Sequence, residues 1–93
     1  MIIKLYKFGD MLISRPAGRE AYFAAKAYLL NEKFETIEFD FEKVKVLTPS
    51  WMDEFITLLK TDYPKVKIEF LKSDNPSVES TLKIISASSA SSS

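Results

Sequence analysis

The residues of this chain best suited to chemistry are Arg15 and Arg19, its only arginines, and the run Thr48-Pro49-Ser50-Trp51-Met52-Asp53-Glu54. Two guanidiniums four residues apart share one side of a helix, and their planar donor forks suit a carboxylate or a phosphate. Ser50 has three readings. With Thr48 as N-cap and Pro49 at the first helical position it is a capping-type serine, and Ser50 to Asp53 spells an alternative capping box. It is also placed as a phosphoacceptor, because a phosphate in the first turn of a helix is stabilised there and alters the charge of the surface around it. The third reading, a nucleophile, needs a base. The chain has no histidine and no cysteine, so the usual general base, thiolate catalysis and zinc–thiolate sites fall away together. The expectation is a protein that is not an enzyme and uses no cofactor or metal.

Arg15 and Arg19 follow Ser14 and flank Pro16, at the start of a helix, where the macrodipole disfavours cations. Something must compensate them. Either Asp53 or Glu54 reaches across from a second helix as an ion pair, or an outside anion does so, a phosphate or the carboxylate of a partner. Trp51 also has two readings, a core or rim residue of its helix and an exposed aromatic anchor for a partner.

The elements that must position these residues follow from periodicity. "IIKLYKF" alternates as a first strand, Gly9-Asp10 supplies a turn, and "MLIS" returns, which predicts an antiparallel N-terminal hairpin. "RPAGREAYFAAKAYLLNE" predicts a helix with Ala17, Ala21, Ala24 and Tyr28 on one face and Phe23, Ala27 and Leu30 beside them. "ETIEFDF" predicts a strand with Ile37, Phe39 and Phe41 inward. A connector with Val44 and Leu47 leads to a helix from Thr48-Pro49 that buries Trp51, Met52, Phe55, Ile56 and Leu59 and ends at Asp62-Tyr63-Pro64. "KVKIEFL" predicts a strand with Val66, Ile68 and Phe70 inward, and Asn75-Pro76 opens a last helix that buries Val78, Leu82 and Ile85. The order is β-β-α-β-α-β-α, an α/β fold with a mixed sheet and helices on one face. Parallel strands bring three proline-led helix starts, "SRPAGR", "TPSWMDE" and "DNPS", to one sheet edge.

With 93 residues the chain is long enough for one domain, expected over 1–86, with the serine-rich 87–93 as a disordered tail or linker. Thirteen basic residues balance thirteen acidic ones, so no net field favours nucleic acid or anionic lipid. No apolar run reaches the roughly 18 residues of a membrane helix, and no signal-peptide pattern opens the chain. The expected location is the cytoplasm.

The element order together with "FDFEKVKVLTPSWMDEF" resembles the STAS domain, the fold of anti-sigma factor antagonists. In that family a strand ending in Asp and an apolar residue leads through a Val to an Asp-Ser-Ser-Gly turn, whose second Ser is phosphorylated by a partner kinase. Asp40 and Phe41 match the strand end, Val44 the Val, and Ser50 the phosphoacceptor. Thr48 stands for the Asp, Pro49 for the first Ser and Trp51 for the Gly. The chain is also similar to the bacterial STAS-like family of unknown function, in Ser14-Arg15-Pro16-Ala17-Gly18-Arg19 and in Thr48 to Glu54. The resemblance implies a regulatory, non-enzymatic module that signals through protein–protein interaction, paired with a histidine-kinase-like ATPase and switched at Ser50. It would dock through Ser14, Arg15, Arg19, Thr48, Trp51, Asp53 and Glu54. The alternative from the residues themselves is a domain that senses a small anion or nucleotide at Arg15, Arg19 and the helix starts.

Overall fold

A computed structural model describes residues 1–29 and 33–92, with the side chains of residue 28 and of 88–92 left aside. Strand β1 spans Ile2–Lys4 and β2 spans Met11–Leu12. Helix α1 covers Arg15–Leu29, β3 Thr36–Asp40 and β4 Val46–Leu47. Then follow α2 over Pro49–Asp62, β5 over Lys67–Phe70 and α3 over Pro76–Ser92. The α/β class and the three helices are as the sequence predicts.

Every strand pairing among the described residues is parallel. One sheet has the order β1-β3-β5, with Ile3 opposite Phe39 and Phe39 opposite Phe70, and β2 and β4 form a separate pair. The predicted antiparallel hairpin and mixed sheet are therefore incorrect, and the reason lies between β1 and β2. Leu5–Phe8 close into a 3-10 turn, which drops Leu5 fully into the core and sets Phe8 against Trp51 and Phe55. Gly9, at φ 118, then turns the chain through a region that other residues avoid. The Asp10 carbonyl accepts the amides of Lys45 at 2.7 Å and Val46 at 3.1 Å, so β2 is tied to β4 and not back to β1. The connector expected around Val44 and Leu47 thus contains a strand.

The core forms where the apolar faces meet. Ile37 and Phe39 of β3 are buried, and Phe39 meets Phe55 of α2 edge-on at 5.5 Å. Trp51, Met52, Phe55, Ile56 and Leu59 are all buried, the stripe predicted for α2. Val78 and Ile85 of α3 are buried and Leu82 half-buried, again as predicted. Helix α1 sits differently. It buries Ala21, Tyr22, Ala25 and Leu29, while Ala17, Ala24, Phe23 and Ala27 are exposed. The predicted face is rotated by about one residue, because Gly18 and Tyr22 are the positions that meet α2. Leu30, assigned to the same face, lies outside the described residues, as does the side chain of Tyr28. Helix α3 continues through the serine run to Ser92, with no Gly or Pro to stop it.

Candidate functional site

The starts of α1 and α2 are built against each other. Ser14 caps α1, its hydroxyl accepting the Ala17 amide at 3.2 Å, and Pro16 stands in the first turn. Thr48 caps α2, accepting the Trp51 amide at 3.3 Å, with Pro49 next. The Thr48 hydroxyl donates to the Ile13 carbonyl and its amide to Leu12 at 3.0 Å, so the cap of α2 also fixes the entry to α1. One turn further on the helices touch through backbone, since a Cβ on Gly18 would lie 2.5 Å from the Trp51 carbonyl oxygen.

That contact aligns the charges. Arg15 Nη1 lies 3.0 Å from Asp53 Oδ2 and 3.1 Å from Glu54 Oε1, and Arg19 Nη1 lies 3.8 Å from Glu54 Oε2. Of the two compensations open to the arginines, the structure makes the ion pair across helices. The Asp53 hydrogen bond, then that of Glu54, raise the pKa of the Arg15 guanidinium above its ordinary value. Arg19 also packs over the ring of Phe23, 5.8 Å from its centroid, and that ring is half exposed.

Ser50 is exposed, and its hydroxyl makes no hydrogen bond among the described residues. The cap is Thr48, so the alternative capping box from Ser50 is not formed. Trp51 is 1 % exposed, stacked on Phe55 at 5.5 Å, so its indole supports this face from beneath and is not a surface anchor. Among the expected residues, Ser14, Arg15, Arg19, Thr48, Asp53 and Glu54 gather with Ser50 at the paired helix starts.

The third helix start joins through β4. Asn75 Nδ2 donates to the carbonyls of Val44 at 2.8 Å and Lys45 at 3.0 Å, while its Oδ1 accepts the Ser77 amide at 2.8 Å. The Ser77 hydroxyl accepts from the Leu47 amide and donates to the Leu47 carbonyl, which also receives the buried Thr81 hydroxyl at 2.6 Å. These side chains act as a neighbouring strand and close the open edge of β4. Sequence reasoning missed Ser77 and Thr81; a serine just after Asn-Pro was the available signal.

A surface cleft lies elsewhere, away from the paired helix starts. It holds about 660 Å³ between the C-terminal end of α2 and the first residues of β3 and β5, lined by Phe34, Thr36, Asp62, Tyr63 and Val66. The Tyr63 hydroxyl is buried and has no hydrogen-bond partner among the described residues. Among the described residues no group of three or more His, Cys, Asp or Glu could hold a metal, and no helix is long and apolar enough to cross a membrane.

Comparison with known families agrees with this architecture. The model of the STAS-like domain of unknown function (DUF4325) matches residues 22–91. The chain belongs to this STAS-like family. The match takes in α2 with Ser50, Asp53 and Glu54 and begins after Arg15 and Arg19. No curated protein and no solved structure matches the chain.

Proposed function

We propose that this STAS-like domain is a non-enzymatic regulatory module of partner-switching type, docking through the face that carries Ser14, Arg15, Arg19, Ser50, Asp53 and Glu54. The observation that carries the reading is Ser50. Its hydroxyl is solvent-exposed and unbonded among the described residues, on a capped helix start beside a cluster of four opposed charges. A hydroxyl so presented suits modification by another protein, and one without a bonded base suits nucleophilic catalysis poorly. The partner is a protein, an ATPase of the histidine-kinase-like type. It would pass the γ-phosphoryl of ATP to Ser50 Oγ, with loss of the hydroxyl proton and release of ADP. Such a module works in the cytoplasm, and neither nucleic acid nor membrane enters the reading. Free-anion sensing has less support, because the two arginines and two carboxylates of this face already balance in charge.

Incubation with a kinase-type ATPase and ATP, followed by intact-mass measurement and size-exclusion chromatography, tests this reading. One phosphoryl group that Ser50→Ala removes, and a complex that its addition weakens, are expected. Neither modification nor complex would reject the switch.

A further inference from the structure

Both carboxylates that hold Arg15 do so through the same nitrogen, Nη1. A guanidinium has five N–H donors arranged as a fork, and the edge formed by Nε and Nη2 is one that can grip an oxyanion with two parallel bonds. That edge of Arg15 makes no hydrogen bond to a carboxylate among the described residues. Arg19 is less engaged still. Its nearest carboxylate oxygen stands at 3.8 Å, beyond hydrogen-bond reach, and its plane is held by the Phe23 ring. Two oriented guanidiniums, with side chains 50% and 60% exposed, therefore have unused donors.

The carboxylates that hold Arg15 lie on the stripe that carries Ser50. Asp53 and Glu54 follow Ser50 by three and four residues, so all three share one helix face, with neighbouring Cβ atoms about 5–6 Å apart. Helical side chains lean toward the N-terminus, which carries the two carboxylates, and the Arg15 nitrogen they hold, over the turn that Ser50 occupies.

We propose that Arg15, with Arg19 behind it, is the receptor for a phosphate carried by Ser50 of the same chain. This rests on the reading of Ser50 as the switch. The phosphate brings roughly 1.5 to 2 negative charges at neutral pH and three acceptor oxygens into a cluster that is balanced without it. Asp53 and Glu54 repel it, and the two carboxylates yield unequally. Asp53 is 54% exposed and turns to solvent at little cost, whereas Glu54 is 15% exposed and stays with the arginines. The modified face thus exchanges the Arg15–Asp53 pair for an Arg15–phosphate pair and presents Asp53 outward. A docking partner would meet a changed charge pattern on an unmoved backbone.

The full chain with phosphoserine installed at position 50 tests this without kinase or partner. The readout is the second ionisation of the phosphate, followed by phosphorus NMR. That pKa, ordinarily about 6, is expected to fall when Arg15 holds the dianion. In Arg15→Gln it should rise to 6 or above, since only the repulsion of Asp53 and Glu54 remains, and Arg15→Lys should recover part of the shift. Arg19→Gln should give a smaller change in the same direction. A phosphate whose titration is the same with and without Arg15 overturns the proposal. The unmodified chain titrated with inorganic phosphate separates the other source: an Arg15 Nε–H resonance that moves there, while the Ser50 phosphate titrates ordinarily, also overturns it. Failure to bind any ATPase bears on the proposed function alone, because these titrations involve no partner.

Discussion

Gly18 of α1 and the carbonyl of Trp51 in α2 are so close that a Cβ at position 18 would lie 2.5 Å from the carbonyl oxygen. The contact sets the depth at which the two helices pack and hence the approach of Arg15 to Asp53 and Glu54. In an isolated helix, Gly→Ala gains up to about 1 kcal/mol. Here the added methyl meets backbone, which cannot rotate away, so Gly18→Ala should lower stability by about 1–3 kcal/mol as overpacked sites do. Urea unfolding followed by fluorescence of Trp51, the only tryptophan, measures the loss. A gain in stability would mean that the helices part freely.

The pair of Arg15 with Asp53 and Glu54 is a surface cluster and should behave as one. Arg15→Ala and Glu54→Ala should show a coupling in a double-mutant cycle at low salt. In 1 M salt, where the screening length is about 3 Å, the coupling should vanish. A coupling that survives high salt would mean that the pair is far less accessible than its exposure indicates.

How much of this was legible in the sequence depended on how sharply each residue type declares itself. Helix α2 was readable in full, since Thr48-Pro49 marks its start and large apolar residues recur at helical spacing. In α1 the alanines suit buried and exposed positions alike, so the face was misjudged by one residue, although the lone Gly18 was a signal of close approach. The alternation of Ile3 and Leu5 runs unbroken from strand into 3-10 turn, and Gly9-Asp10 then imitates a hairpin. Strand β4 has two residues, too few for any period to show. In the site, the Arg–carboxylate pairing was one of two readings, and only the tertiary crossing at Gly18 and Trp51 decides between them.

The side chains that seal β4 should matter for stability. Asn75→Ala removes two hydrogen bonds to the Val44 and Lys45 carbonyls and the bond from the Ser77 amide. The expected cost is about 1–2 kcal/mol, typical of a lost helix cap. Thr81→Val keeps the shape of a side chain that is 2% exposed and deletes its bond to Leu47. It should cost less than Asn75→Ala, because Ser77 still donates to the same carbonyl. Chemical denaturation of both variants gives the order, and the reverse order would locate the anchor of α3 at Thr81.

Asp62, at the other end of α2, gives the fold a defined acid sensitivity. The Tyr22 hydroxyl donates to Asp62 Oδ2 at 2.6 Å, and Lys26 Nζ lies 3.0 Å from the same oxygen. The Tyr22 bond first, and Lys26 second, hold the Asp62 carboxyl below its ordinary range. A carboxyl depressed in the folded state favours folding above its unfolded pKa, about 3.9, and that stabilisation is lost as pH falls through the folded value. The gap in urea midpoint between the native chain and Asp62→Asn should therefore be constant from neutral pH to about 5 and close below about 4. Burial first, and then the bond to Asp62, raise the pKa of Tyr22, so its share is complete below pH 10 and is lost as pH rises above it. In Tyr22→Phe the Asp62 carboxyl, followed by carbon NMR, should titrate closer to an ordinary aspartate. If it does not move, Lys26 is the group that holds it.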